Sequence, residues 1–407
     1  MRFETTAPGL IPAVGFPTFA GAIAVPRNPR RPPRVEAGVS TLFSPFRLRD
    51  LTLRNRIIVS PMCQYSSVDG FANEWHVVHL GSRAVGGAGL VFTEAIAVTP
   101  DGRISPADLG IWNDAHIEML ARIARFCADH GAVWGTQLAH AGRKASTDVP
   151  WRSRALVKPE NGGWTPVAPS EGAFDAHSPE PRALREDEIL DIVRSFAQGA
   201  TRTLQAGGRV IELHAAHGYL IHQFLSPLVN RRTDRWGGSF ENRIRLARET
   251  ARAVRAVMPE QMPLFVRVSA TDYAPGGWDI EQTIELARAL REDGVDLIDV
   301  SSGGAVPVAP GAMHVGPLYQ VPFAERIRRE AEIPTGAVGM IVEPHDAEAI
   351  VAEGKADVVL LARELLRDPY WPLHAARVLG GEIAWPDQYL RAAGPRAAMR
   401  ETAAARD

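Results

Sequence analysis

Short apolar runs alternate along the chain with longer segments in which apolar residues recur at helical spacing, from Thr41 onward. The runs are rich in β-branched residues and short enough to be buried parallel strands. This pattern predicts eight strands, Arg56–Ser60, Gly89–Glu94, Ala132–Leu138, Arg209–Leu213, Leu264–Ser269, Leu297–Ser301, Ile333–Val338 and Asp357–Leu361. The clearest predicted helices are Ala115–His130 with an Asp114 cap, Arg185–Ala206, Glu241–Val257, Ile280–Asp293 and His345–Glu353. Eight strand-helix units favour a closed (β/α)8 barrel of the TIM type.

An open, doubly wound sheet is the alternative topology, because local patterns do not fix the order of strands. The positions of polar residues and glycines favour the barrel. The notable residues come just after the predicted strands, namely Cys63, Ala95, Gln137, His214, Arg267, Ser302, Gly339 and Arg363. In a closed barrel all of these strand ends surround one mouth, whereas an open sheet spreads them along an edge.

Two segments fall outside the alternation. Residues 1–40 contain seven prolines and no periodic apolar face, so they are predicted to be a flexible N-terminal extension of one barrel domain, residues 41–407. Ala139–Leu184 lies between the third strand and its helix and is rich in proline, glycine, tryptophan and serine. A long loop in a compact domain usually has a function, and at a barrel mouth this one is predicted to act as a lid.

Composition narrows the class of protein. The chain has 407 residues, enough for one large α/β domain with a sizeable core. Its 45 basic and 47 acidic residues give a formal charge of −2 without a block of like charge, which argues against nucleic acid as a partner. The sequence contains no apolar run of roughly eighteen residues, so no membrane span is predicted. Two cysteines, Cys63 and Cys127, cannot form a disulfide framework, so a reducing, cytoplasmic setting is expected.

The most unusual stretch follows the fourth predicted strand and contains His214, His217, Tyr219 and His222. The histidines can be hydrogen-bonded loop residues without chemistry. They can also bind a metal, although no acidic or cysteine ligand stands at the spacing of zinc motifs, and no metal site is predicted. In a third interpretation two neutral imidazoles donate hydrogen bonds to an oxygen that gains negative charge, while the phenol delivers a proton. This interpretation also accounts for the tyrosine.

Three further groups at the predicted mouth are candidates for binding a cofactor. Cys63 is either a small buried hydrophobe or a contact to a redox ring, and Tyr65 is placed to meet a substrate. Gly339 and Arg363 follow the seventh and eighth strands, where barrels of this type commonly hold a phosphate. A buried cation at Arg267 needs an anionic or carbonyl partner. Flavin carbonyls would suit both Arg267 and Gln137, and an internal salt bridge to Arg267 is the alternative.

Several motifs together resemble the Old Yellow Enzyme family, and the resemblance covers about residues 41 to 390. They are Leu42-Phe-Ser-Pro-Phe46, Asn55-Arg56, Ser60-Pro-Met-Cys-Gln-Tyr65, Gln137-Leu-Ala-His-Ala-Gly-Arg-Lys144, His214-Ala-Ala-His-Gly-Tyr219, Asn230-Arg-Arg-Thr-Asp-Arg-Trp-Gly-Gly238 and Arg363-Glu-Leu-Leu-Arg-Asp-Pro369. The paired histidines and Cys63 are similar to its thermophilic-like bacterial branch of ene-reductases.

The resemblance implies a TIM barrel with non-covalent FMN that takes hydride from NAD(P)H and passes it to an activated alkene. It implies binding of the substrate carbonyl by His214 and His217, protonation by Tyr219, and Tyr65 in the pocket wall. An arginine of this branch can enter the neighbouring active site of a homodimer or homotetramer, and Arg396 is the candidate. The flavin contacts implied are Ser60, Pro61, Met62, Cys63, Ala95, Gln137, Arg267, Ser302, Gly339, Ala362 and Arg363.

The resemblance leaves the substrate open. Ala362 stands where glycine is usual, and Trp236 replaces a common tyrosine. A xenobiotic reductase acting on nitro compounds or nitrate esters would use the same hydrogen-bond donors. A non-redox, phosphate-binding barrel lyase or isomerase is a second alternative, but it would need a lysine or carboxylate base at the mouth.

Overall fold

The structure is a computed structural model that describes residues 40–153 and 155–393. Its centre is a closed barrel of eight parallel strands, and their order around the barrel is β10, β11, β12, β3, β4, β5, β8 and β9. The strands in chain order are β1 (Phe46–Leu48), β2 (Leu51–Leu53), β3 (Ile57–Val59), β4 (Leu90–Ala97), β5 (Val133–Ala139), β6 (Val167–Ala168), β7 (Arg182–Ala183), β8 (Val210–Ala215), β9 (Leu264–Ser269), β10 (Leu297–Ser301), β11 (Thr335–Ala337) and β12 (Val358–Leu361). The predicted barrel is confirmed, and the open sheet is excluded.

Helices surround the barrel. They are α1 (Glu74–Val85), α2 (Ile117–Asp129), α3 (Glu186–Gln205), α4 (Leu220–Leu225), α5 (Phe240–Arg243), α6 (Arg245–Val257), α7 (Ile280–Glu292), α8 (Val321–Ala331), α9 (Pro344–Ala352), α10 (Arg363–Arg367) and α11 (Trp371–Leu379). The amphipathic segments form helices because one apolar stripe of each packs on the outer face of the strands. Within the described residues, none of these helices has the length and apolar character needed to span a membrane.

Two apolar clusters hold the barrel together. The larger one fills the layer between strands and helices. The smaller one lies inside the amino-terminal end of the barrel, where Leu90, Val210 and Phe265 meet Phe46 and Leu53 of the β1–β2 hairpin. The hairpin therefore closes this end with apolar side chains. The polar side chains of the strands lie toward the opposite, carboxyl-terminal end of the barrel.

The structure corrects several predicted boundaries. β4 runs to Ala97 and β8 to Ala215, both beyond the apolar runs that predicted them. Asn113 caps the helical segment after β4, since its side chain accepts a hydrogen bond from Ala115 N, so the predicted Asp114 cap is wrong by one residue. The predicted helix from Glu241 is divided into α5 and α6. Local periodicity gave the elements, whereas tertiary pairing set their ends.

Candidate active site

The predicted site residues are brought to the carboxyl end of the barrel by strand register. Gln137 in β5 pairs with Ala95 in β4 and with Glu212 in β8. His214 in β8 pairs with Arg267 in β9, which in turn pairs with Asp299 in β10. Ala95 and His214 therefore lie within their strands, beyond the ends predicted for them, whereas Gln137 and Arg267 lie within strands that were predicted to contain them. The pairing continues through His214 and Arg267 because their neighbours along each strand, Leu213, Ala215, Val266 and Val268, are apolar and belong to the larger core cluster.

His214, His217 and Tyr219 form one cluster. The ring centres of His214 and His217 are 5.0 Å apart, and the Tyr219 ring lies 4.9 Å from His214 and 6.5 Å from His217. All three ring pairs are nearly perpendicular. The turn that joins them places His217 in the left-handed region at φ +59°, followed by Gly218 at φ +73°. Glycine is required there, because a Cβ on Gly218 would come within 1.9 Å of Gly304 O.

Both imidazoles are neutral at pH 7. Burial lowers the pKa of His214 and of His217 well below the ordinary value, and the charge of Arg267 lowers each of them further. Nδ1 of His214 accepts a hydrogen bond from Ala216 N at 3.3 Å, so the ring proton is on Nε2, which is a donor. Nε2 of His217 lies 2.6 Å from Ser301 Oγ. When that hydroxyl donates to Nε2, the proton of His217 is on Nδ1.

His222 belongs to a separate buried pair. Its Nε2 lies 3.0 Å from Asp272 Oδ1, both side chains are fully buried, and its Nδ1 accepts a hydrogen bond from Gly218 N at 2.9 Å. Asp272 also accepts from Ser226 Oγ at 2.6 Å. His222 therefore supports the turn that carries His217 and does not turn toward the cluster. Within the described part of the chain, no group of histidine, cysteine and acidic side chains is arranged to hold a metal.

Cys63 and Tyr65 lie in the loop after β3 and are partly buried. Burial raises the pKa of the Cys63 thiol well above its ordinary value, and the nearby carboxyl groups of Asp108 and Glu94 raise it further. The sulfur is therefore a neutral thiol at pH 7. Tyr65 meets Trp151 edge to face, with ring centres 5.8 Å apart. Trp151 belongs to the long segment after β5, so that segment does reach the mouth.

Arg267 and Gln137 each have a carboxyl partner inside the barrel. Nε of Arg267 lies 3.0 Å from Asp299 Oδ2, and its Nη1 donates to Ser60 Oγ at 3.0 Å. Nε2 of Gln137 donates to Glu212 Oε1 at 2.8 Å. The internal salt bridge considered as an alternative for Arg267 is present. It leaves further N–H groups of the guanidinium for another partner, because only two nitrogens are used.

A cavity of about 220 Å³ follows β11 and β12 and is lined by Gly339, Ala362 and Arg363 among others. Gly339 has φ +125°, and a Cβ there would come within 2.8 Å of Gln320 Nε2. Gln320 is fixed by Ser302 Oγ, which donates to its Oε1 at 2.5 Å. A glycine that permits close approach of the backbone and two arginines, Arg363 and Arg367, are features that suit a phosphate monoester.

The long segment after β5 is attached to the mouth by Lys144. Its Nζ donates to the backbone oxygens of His217 and Gly304 at 2.8 and 2.5 Å, and it lies 4.1 Å from the ring centre of Phe174. Burial lowers the pKa of Lys144 to about 7, with the charge of Arg143 adding to the effect. Lys144 therefore connects the long segment to the backbone of the turn that contains His217.

Sequence reasoning missed the buried acids of this site. Glu212 and Asp299 are single charges within apolar strands, the same signal that identified Arg267, and both could have been found by it. Asp108 and Lys144 come from loops, and their contacts could not be found from spacing. Arg396 and residues 1–39 lie outside the described residues.

Comparisons with known proteins show the family to which the chain belongs. Residues 41–380 match the model of the NADH:flavin oxidoreductase / NADH oxidase family. The chain is 49% identical over 354 residues to an NADPH dehydrogenase of Geobacillus thermodenitrificans, covering 86% of this chain and 98% of that protein. An NADPH dehydrogenase of Listeria monocytogenes is 49% identical over 356 residues, covering 87% and 99%.

Solved structures show the same architecture. Morphinone reductase in complex with tetrahydroNAD superposes with a TM-score of 0.69 at 28% identity, covering 85% of this chain and 92% of that chain. The old yellow enzyme homologue from Zymomonas mobilis gives a TM-score of 0.69 at 26% identity, with coverage of 85% and 94%.

Proposed function

The chain belongs to the NADH:flavin oxidoreductase / NADH oxidase family, and from this premise we propose that it is an ene-reductase that reduces activated alkenes. The broader class was predicted and is established: the protein is an NAD(P)H-dependent flavin oxidoreductase that uses FMN. The finer proposal concerns the substrate, an alkene conjugated to a carbonyl or nitro group, and the residues that act on it.

The observation that carries the proposal is the pair of neutral imidazoles beside a phenol at the barrel mouth, with ring centres 5.0 and 4.9 Å apart. A neutral donor can stabilise a developing oxyanion without first losing the proton to it. Two donors on one oxygen fix the direction of the carbonyl and make the β-carbon electrophilic. The phenol of Tyr219 then stands next to the activated carbonyl, where the α-carbon requires a proton.

The residues of the chain fit FMN. The cavity beside Gly339, Ala362 and Arg363 would hold its phosphate. Ser60, Gln137 and Arg267 would hold the polar edge of its ring. The remaining contacts proposed for the ring are Pro61, Met62, Cys63, Ala95 and Ser302. When bound, FMN would take hydride from NAD(P)H and supply it to the β-carbon of the alkene.

Each protein group then has a defined role. Nε2 of His214 and Nδ1 of His217 donate to the substrate oxygen, and Ser301 keeps His217 in the required tautomer by donating to its Nε2. Tyr219 gives its phenolic proton to the α-carbon. Tyr65 lines the pocket, and the neutral thiol of Cys63 would lie against the flavin ring and adjust its electron affinity. The site as a whole polarises one oxygen and protonates one carbon.

Replacing Tyr219 with Phe tests the proposal directly. Reoxidation of the reduced enzyme by cyclohexenone should slow by about 10² to 10⁴, the usual contribution of a positioned proton donor. Reduction by NADPH and retention of FMN should be unchanged. Tyr370→Phe, which removes a phenol whose hydroxyl lies 3.4 Å from that of Tyr389, outside the histidine cluster, is the matched control. Equal reoxidation rates in the wild type and Tyr219→Phe would contradict the assigned role.

Reoxidation of the reduced enzyme by a nitrate ester is a second test, because reductive cleavage of a nitrate ester protonates no carbon. Tyr219→Phe should therefore spare nitrate ester reduction while it slows cyclohexenone reduction. A wild-type enzyme that is reoxidised only by nitrate esters would favour the xenobiotic reductase alternative. Three parts of the proposal come from the sequence. They are a homodimer or homotetramer, entry of Arg396 into a neighbouring active site, and a cytoplasmic location.

A further inference from the structure

Asp108 is a buried acid next to the proposed site that none of the assigned roles uses. It lies in the loop between β4 and α2, and the residue is 2% exposed. Its Oδ2 accepts a hydrogen bond from Ile104 N at 2.7 Å. Its Oδ1 has no hydrogen-bond partner among residues 40–153 and 155–393. Leaving a buried charged oxygen without a partner is costly, so the neutral acid, which carries a proton, is the favoured form.

The electrostatic surroundings agree with a protonated acid. Burial raises the pKa of Asp108 well above the ordinary carboxyl value, and the charge of Glu94 raises it further. Arg103, on the same loop, acts in the opposite direction but does not compensate. Cys63, whose thiol is neutral, is a further titratable neighbour.

A small cavity joins Asp108 to Tyr219. Its volume is about 10 Å³, roughly the space that one water molecule needs. The other residues around it are small or apolar, namely Ala95, Ala97, Gly102, Ile104, Ala139 and Ala141. Of the side chains in its wall, those of Asp108 and Tyr219 are the polar ones. A water here would have these two groups as its side-chain partners.

We propose that Asp108 is a positioning residue that stores a proton and returns it, through one water in this cavity, to Tyr219 after each turnover. The inference rests on the proposed function, in which Tyr219 loses its proton to the α-carbon. The O–H bond of the carboxyl group breaks, the phenolic O–H bond forms again, and no electrons are exchanged with an oxidant or reductant. Bulk water then protonates the Asp108 carboxylate. The relay approaches the phenol through the cavity, while substrate covers the side that faces His214.

Asp108→Asn in the FMN-loaded enzyme tests the relay, because the amide can still accept from Ile104 N but cannot supply a carboxyl proton. In the first turnover Tyr219 already carries its proton, so reoxidation by one equivalent of cyclohexenone should change less than twofold. Steady-state turnover should fall tenfold or more and show a larger solvent isotope effect. Ser105→Ala, which alters a buried hydroxyl in the same loop, should change neither rate.

Infrared spectroscopy gives a readout that does not depend on activity. Wild-type enzyme with ¹³C-labelled aspartate should show a protonated carboxyl band at pH 7 that is absent from Asp108→Asn and shifted in Tyr219→Phe. Absence of the band, or equal slowing of the first and later turnovers in Asp108→Asn, would overturn the relay. Failure of the wild-type enzyme to reduce cyclohexenone would instead refute the proposed function. The infrared band would still show whether Asp108 is protonated and whether it responds to the loss of the Tyr219 hydroxyl.

Discussion

Two carboxyl groups share one arginine inside the barrel, and we expect them to hold a single negative charge between them. Asp299 and Glu212 are both fully buried; Arg267 lies 3.0 Å from Asp299, and its charge also acts on Glu212. Burial raises the pKa of Asp299 to about 6, against the influence of Arg267. Burial and the charge of Asp299 raise the pKa of Glu212 well above its ordinary value. Asp299, which is paired with Arg267, is therefore the acid that ionises first, and Glu212 keeps its proton to a higher pH.

This arrangement predicts strong coupling between the two acids. In Asp299→Asn, Glu212 loses its proton and becomes the counterion of Arg267, so the cost should be about 1 kcal/mol, that of one hydrogen bond. Glu212→Gln should cost a similar amount, because Asp299 keeps its charge. The double variant leaves the guanidinium unpaired, which costs a further 3 to 5 kcal/mol or so. The coupling free energy should therefore be about 3–5 kcal/mol.

Urea unfolding of the flavin-free protein at pH 7, followed by tryptophan fluorescence, measures the four free energies of unfolding. A triple variant that adds Arg267→Met to the two acid substitutions is the control, since a neutral triad should recover most of the loss. Costs that add within about 0.5 kcal/mol would refute the shared charge.

The pH dependence of stability gives an independent check on the same acid. The folded-state pKa of Asp299 is raised from 3.8 to about 6, so its ionisation opposes folding. The penalty is absent below the unfolded pKa and grows as the pH rises from about 4 to about 6, reaching about 3 kcal/mol. Asp299→Asn made in a Glu212→Gln background, where no second acid can take over the ionisation, should remove this fall from the unfolding curve. A variant whose stability still falls by the same amount across this window would exclude Asp299 as its source.

Three further predictions concern the turn that carries the histidines. Gly218→Ala should lower the free energy of unfolding by more than about 3 kcal/mol, because the new Cβ overlaps a backbone oxygen. Gly276 is the control, since it has φ +70° and open space around it, and Gly276→Ala should cost about 1 kcal/mol. Urea unfolding measures both free energies. Burial alone would raise the pKa of Asp272, but hydrogen bonds from His222 and other donors lower it. Asp272→Asn should therefore lower the free energy of unfolding by about 2–4 kcal/mol at pH 7. In an acid titration of stability this cost should shrink as the pH falls below about 4. The folded-state pKa of Lys144 is lowered to about 7, so above that pH the folded protein binds fewer protons than the unfolded chain. Between pH 7 and 9.5 the free energy of unfolding of the wild type should therefore rise relative to that of Lys144→Met.

The sequence predicted the barrel because each strand is a short, mainly apolar run between helical segments. It also predicted Cys63, Gly339 and Arg363 at the mouth, since each comes within a few residues of a strand end. The strand ends themselves were less accurate. β8 continues through His214 to Ala215 because backbone pairing in a closed barrel does not stop where polar side chains begin.

The partners of the site residues could not be predicted in the same way. The pairing of Arg267 with Asp299 depends on the register of β9 against β10, which no local pattern encodes. Contacts from loops are harder still. Lys144 reaches His217 O from a position 73 residues away, and this depends on the path of the whole segment after β5.

The charges of the mouth also explain how one site can contain both a fixed cation and neutral donors. Arg267 lowers the pKa of His214 and His217, so a cation suited to the polar edge of a flavin also helps to keep the nearby imidazoles uncharged. Its own charge is balanced by Asp299 within the barrel. If Asp299 were absent and Glu212 stayed protonated, the uncompensated cation would favour any anion at the mouth in the resting state. A balanced cation and neutral donors instead favour negative charge only when it develops on the substrate, which is the condition for stabilising a transition state more than a ground state.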